Sequence, residues 1–206
     1  VSLNKTKIEW CDYSWNPVTG CRRGCSYCYA RRIHNRFNKK PFTNIVFHED
    51  RMADPVKENK PSTIFCGSMS GHEYWPIEWL RLVLQQCAVA SWHTFVFLSK
   101  DVYTYNYDRW KDVPDNVVMG VTFEKVTEEQ EEEIDYIDTF DHRTWINIEP
   151  LMGRIDLFLP SVELVIVGAM TGSGARKPLK EEIYSIKEHV QDGQKIFWKI
   201  NIRDMV

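Results

Sequence analysis

The sequence predicts an α/β fold: a partial, open β/α barrel of six or seven mostly parallel strands with helices outside, in one domain over residues 1–206. Three observations predict it. Short apolar runs alternate with segments of helical period, the pattern of a parallel sheet covered by helices. The runs are apolar nearly throughout, as strands buried on both faces are. Their carboxyl ends are polar again and again, and such folds gather their working residues there.

The elements follow in order. An early strand is expected near "SWNP" (14–17). "STIFCGS" (62–68) reads as a buried strand ending in small polar residues. "PIEWLRLVLQQCAVA" (76–90) reads as a helix: Ile77, Leu80, Leu84 and Cys87 keep helical spacing, and Pro76 suits a first turn. "HTFVFLSK" (93–100) is the next strand, and "YTYNYDRW" (103–110) a short helix. "NVVMGVTFE" (116–124) is a strand, and the acidic "EKVTEEQEEEIDYID" (124–138) a solvated helix face. "TWINIEP" (144–150) and "ELVIVGAM" (163–170) are strands, "PLKEEIYSIKEHVQ" (178–191) a helix and "KIFWKI" (195–200) a last strand. The polar ends are Ser68 and Ser70, Ser99 and Lys100, Thr122 and Glu124, Asn147 and Glu149, Thr171 and Ser173, and Lys199 and Asn201. Six such ends in succession predict one polar site.

Charge is distributed unevenly. The net charge of −3 gives no bulk attraction to nucleic acid. Yet Tyr13 to His48 contains no Asp or Glu, while holding Arg22, Arg23, Arg31, Arg32, Arg36, Lys39 and Lys40. Two readings stand for the span Arg22–Lys40: a solvated helix, or a contact for a nucleic acid or nucleotide, with Tyr29 or Phe37 stacking on bases. No apolar run approaches the roughly 20 residues that cross a bilayer, and no signal-peptide pattern is seen. The expectation is a cytoplasmic protein without membrane contact.

Six cysteines are present, and three fall in "GCRRGCSYCYARR" (20–32) as Cys21, Cys25 and Cys28. Tight spacing in such a chain reads as metal binding before disulfide pairing. Thiolates suit zinc or iron–sulfur clusters. Zinc would ask for a fourth ligand, with Cys11 and His34 nearby in sequence. Three cysteines on a four-iron cubane would instead leave one iron open to a small molecule. Cys66 and Cys87 read as packing residues, as do His72 and His93.

The string "CRRGCSYC" resembles the cluster motif of the radical S-adenosylmethionine (SAM) superfamily, including an aromatic residue, Tyr27, before the third cysteine. The likeness extends along "KIEWCDYSWNPVTGC", "KPSTIFCGSMS", "HTFVFLSK", "VVMGVTFE", "INIEPLMGRIDL", "VIVGAMTGSGAR" and "IFWKI" to a compact, phage-associated branch whose members are mostly of unassigned function. The resemblance implies a 4Fe-4S cluster on Cys21, Cys25 and Cys28. It also implies SAM on the open iron and an external flavodoxin- or ferredoxin-like electron donor. For a phage-encoded chain, it implies the host cytoplasm. It places Tyr27 near the adenine and Ser68 and Ser70 at the SAM amino group. Thr122, Glu124, Asn147 and Glu149 become candidates for the ribose or methionine moiety, or for substrate. Three departures stand out. Cys11 replaces a usual Thr and so is not expected as a ligand. Gly71 stands where an acidic residue is frequent. "GAMT" (168–171) stands where "GGES" is frequent. The alternative from another class is a zinc-stabilised nucleic-acid-binding module without catalysis.

Glu149, an acid in apolar surroundings, needs a functional or ion-paired role. "TGSGAR" (171–176) is either a flexible turn or an anion cradle of backbone N–H groups. Arg176 and Lys199 are candidates for the same polar mouth.

Overall fold

The structure is a computed structural model and describes residues 3–172 and 174–206. Ser173, one of the expected polar strand-end residues, lies outside the described residues. The chain folds as two compact units, Val1–Ser99 with Thr104–Val118, and Lys100–Tyr103 with Met119–Val206.

The first unit begins with β1 (Asn4–Lys5), β2 (Tyr13–Trp15) and β3 (Val18–Thr19), then α1 (Tyr29–Phe37) and β4 (Val46–Phe47). It continues with β5 (Thr63–Cys66), α2 (Ile77–Val89), β6 (Thr94–Ser99) and α3 (Tyr107–Trp110). β2, β5 and β6 pair in parallel, with Trp15 opposite Cys66 and Cys66 opposite Phe97. That register puts Asn16 and Gly67–Ser70, which follow β2 and β5, at the same end of the sheet as Ser99, the last residue of β6. The two-residue β1 adds an antiparallel edge to β2, and β3 forms a separate antiparallel pair with β4. α2 buries Leu80, Val83, Leu84 and Cys87, the face its spacing predicts, with Val83 taking the place expected of Ile77.

β7 (Val117–Phe123) starts in the first unit and runs into the second. There follow α4 (Glu131–Asp138), β8 (Thr144–Ile148), β9 (Leu164–Val167), α5 (Lys180–His189), β10 (Ile196–Trp198) and α6 (Ile200–Arg203). β7 to β10 pair in parallel in chain order. Among the described residues, seven strands therefore take part in parallel pairing, as the alternating apolar runs predict. β8 is buried along all five residues. The acidic run is a solvated helix: Ile134 and Ile137 face inward, and a Thr127–Gln130 capping box opens the turn before α4. The acids of its first turn face the positive end of the helix dipole. No helix among the described residues is long and apolar enough to cross a membrane.

Candidate functional site

The cysteine loop of the first unit is shaped by its backbone. Gly20 has φ +102°, and a Cβ there would stand 2.2 Å from the Asn44 carbonyl oxygen, so only glycine fits. The Gly20 N–H donates to the Met69 carbonyl and the Cys21 N–H to the Phe42 carbonyl, which ties the loop to two distant segments. Gly24, also left-handed, turns the chain again. Cys28 is the N-cap of α1: its Sγ accepts the Arg31 N–H at 3.4 Å. Arg31 Nη1 donates back to the Cys25 carbonyl. Cys21, Cys25 and Cys28 are each half-buried and free of disulfides. Burial pushes the Cys21 thiol up; the Arg23 backbone N–H opposes this, and charge on Glu73, Cys28 and Cys25 adds to it. Among the described residues, no group of three or more His, Cys, Asp or Glu side chains is gathered so as to hold a metal ion.

The turn after β5 separates the two candidate serines. Ser68 Oγ donates to Asn16 Oδ1, which also accepts the Met69 N–H at 2.8 Å. Ser68 is therefore tied, with Met69, to Asn16 at the end of β2. Ser70 Oγ is buried without a hydrogen-bond partner. A buried hydroxyl left unsatisfied costs about 1–3 kcal/mol, which a polar ligand would recover. Tyr27 is half-buried and its carbonyl accepts from Arg32. Its neighbour Tyr29 reaches across to donate to the Ser68 carbonyl at 2.7 Å.

Gly71, the departure from an acidic residue, has a close neighbour. A Cβ at Gly71 would stand 2.7–2.8 Å from the carboxylate atoms of Glu73. The Glu73 carboxylate thus fills the space into which a side chain at 71 would grow. It accepts from Arg23 Nε at 3.2 Å and Ser99 Oγ at 3.4 Å, with its side chain 7% exposed.

In the second unit the candidates are ion-paired or hydrogen-bonded. Lys100 meets Glu124 at 2.6 Å, and Lys199 pairs with Glu149. Gly168 makes room for the latter pair, since a Cβ there would stand 2.8 Å from Lys199 Cδ and 3.0 Å from Glu149 Cδ. The departure at "GAMT" keeps this glycine. Asn147 Nδ2 donates to Thr122 Oγ1 at 3.3 Å, while Asn147 Oδ1 is buried without a partner. Asn201 brackets Ala169, accepting its N–H and donating to its carbonyl, and so fixes the strand end.

Other candidates are committed to structure. Arg176 pairs with Glu182, whose other oxygen accepts the Leu179 N–H at the start of α5, so this arginine serves a helix terminus. The Gly172 and Gly174 turn has positive φ at both glycines and open space around Gly174. Buried His93 is held by the Pro55 and Glu58 carbonyls. His72 bonds Tyr105 Oη and packs among Trp75, Phe97, Tyr105 and Trp110, where burial holds its pKa down at about 3. A groove of about 550 Å³ beside Trp145, Glu163 and Gln194 contains none of the candidate residues.

Both units fall within one comparison. A family model described as "Protein of unknown function (DUF5131)" matches residues 5–201. The chain belongs to the DUF5131 family. No curated protein and no solved structure matches it. Every candidate named above lies inside the span that defines this DUF5131 chain. Two further site residues, Asn16 and Glu73, are visible in the structure alone. The signal for Asn16 was its place in the early strand expected near 14–17, and Glu73 gave none, because its role arises from contacts with residues 23 and 99.

Proposed function

We propose that this DUF5131 chain is a radical SAM enzyme that cleaves SAM reductively to start radical chemistry on its substrate. The cysteine loop carries the proposal. Three free thiols share one glycine-shaped loop, and each is partly exposed to a ligand. A structural zinc held by sulfur closes its tetrahedron with a fourth ligand. Three thiolates on a four-iron cluster instead leave one iron open to a small molecule, the arrangement that the motif "CRRGCSYC" implies.

Cys21, Cys25 and Cys28 would hold the 4Fe-4S cluster. Bound there, a cluster and SAM would supply one-electron radical chemistry able to abstract hydrogen from a substrate. The chain's own part is to place the cofactor and exclude water. The orphaned Ser70 hydroxyl and the buried Glu73 carboxylate suit the SAM ammonium group: one wants a polar partner and the other brings negative charge. Ser68 shapes the turn that presents them. Tyr27 is assigned to the adenine. Thr122, Glu124, Asn147 and Glu149 are assigned to the ribose or methionine moiety, or to substrate, with the unpartnered Asn147 Oδ1 the foremost of them. We further read the parallel strands as the open β/α barrel of that superfamily, and a flavodoxin- or ferredoxin-like protein as the electron source.

Anaerobic reconstitution with iron and sulfide tests this. Addition of SAM and dithionite should yield 5′-deoxyadenosine. A colourless protein holding one tight zinc and leaving SAM intact would overturn the proposal.

A further inference from the structure

α1 is built as an amphipathic helix, yet its apolar stripe stays largely exposed, tied to the rest of the unit through the Tyr29 hydroxyl on the Ser68 carbonyl. Tyr29, Ile33 and Phe37 follow at i, i+4 and i+8, which is one face. They are 45%, 42% and 81% exposed, and Ala30 is the one buried residue of the helix. A helix of this length gains most of its stability by burying such a stripe. Around the stripe the charge has one sign: Arg32, Arg36, Lys39 and Lys40 are all exposed, in a span without an acid.

We propose that this face of α1 docks an acidic one-electron carrier protein, flavin- or iron–sulfur-bearing, that reduces the cluster. This rests on the functional reading above. Three observations select that occupant. The basic rim complements an acidic surface and would steer its approach. The helix starts on Cys28, whose sulfur accepts the Arg31 N–H, so a partner seated on α1 is beside a cluster ligand. The patch is small: nine residues span about 14 Å of helix. That is too little for a stable dimer and suits the small interfaces of transient redox pairs. Base stacking would need flat faces along the stripe, and its central member is the aliphatic Ile33. In the transfer, the reduced carrier gives one electron and leaves oxidised by one; the cluster takes that electron, and no bond is made or broken.

Calorimetric titration of the full chain with flavodoxin, and separately with a ferredoxin, tests the surface. Binding to at least one should weaken as salt rises. It should weaken about tenfold or more in Ile33→Ser/Phe37→Ser and in Arg36→Glu/Lys39→Glu, since central anchors and complementary charges dominate such interfaces. Far-UV circular dichroism should be unchanged in both variants, as the replaced side chains are exposed. Both variants should still cleave SAM with dithionite while losing cleavage driven by the reduced carrier. Binding unaffected by both variants, binding to neither carrier, or variant-sensitive binding of a single-stranded oligonucleotide in their place would overturn the docking proposal. Loss of dithionite-driven cleavage in the wild type would instead strike the functional reading, and the two failures are separable.

Discussion

The first unit holds thiols in two opposite settings. Cys66 and Cys87 lie in the core at 1% and 0% exposure, and burial pushes both thiols well above their ordinary range. Cys21, Cys25 and Cys28 lie on a loop, half-buried, with one at a helix N-terminus. A buried thiol in apolar surroundings is a small hydrophobe; a thiol at a helix start beside basic residues can become a ligand. The difference lies in what the backbone does. Gly20 and Gly24 shape a loop that stays half-exposed, while β5 and α2 carry their cysteines into the core.

The contrast breaks most visibly by truncation. Replacing any of Cys21, Cys25 or Cys28 with Ala should abolish cluster loading and SAM cleavage, measured by iron content and chromatography. Cys11→Ala should leave both intact, and so should Cys87→Ala. A second test acts on stability. Cys87→Ser puts a hydroxyl into a fully buried site and should cost about 1–3 kcal/mol in urea unfolding. Cys25→Ser, on the loop, should cost less than about 0.5 kcal/mol.

The core also keeps its histidine neutral, which makes stability depend on pH. His72 in the fold titrates at about 3, against 6.5 for the free side chain. The unfolded chain therefore binds the extra proton between those values, and stability falls as pH drops from about 6.5 toward about 3. The slope is at most about 1.4 kcal/mol per pH unit. His72→Phe should flatten that slope relative to the wild type in urea melts at pH 7 and pH 5.

The smallest effect is expected on the loop. Glu73→Gln removes a negative charge that pushes the Cys21 thiol up. Its loss lowers the thiol, so iodoacetamide should modify Cys21 faster at neutral pH, by less than about tenfold. Cys66 and Cys87 should stay unmodified until denaturant is added.

The framework was legible in the sequence because burial on both faces leaves apolar runs, and α2 because its spacing repeats every turn. β1, the β3–β4 pair and α6 were not: strands of two residues and a helix of four are too short to show a period. The cysteine triplet was legible since its chemistry is local. Ser68 and Ser70 looked alike in sequence, and only the contact with Asn16, 52 residues away, separates them. Glu149 was expected to have a functional or ion-paired role, but its partner Lys199, like Lys100 opposite Glu124, is seen only in the structure. Pairings of that kind depend on register between strands, which residue type alone does not encode. Arg176 was expected at the polar mouth, and its partner turned out to be the capping Glu182.

The central claim is that three cysteines hold a cluster with one iron left for SAM. Electron paramagnetic resonance of the reconstituted, dithionite-reduced protein tests it most directly. The account predicts a 4Fe-4S signal whose shape shifts when SAM is added and which is absent in Cys21→Ala. A signal indifferent to SAM, or no cluster signal in the wild type, would contradict it.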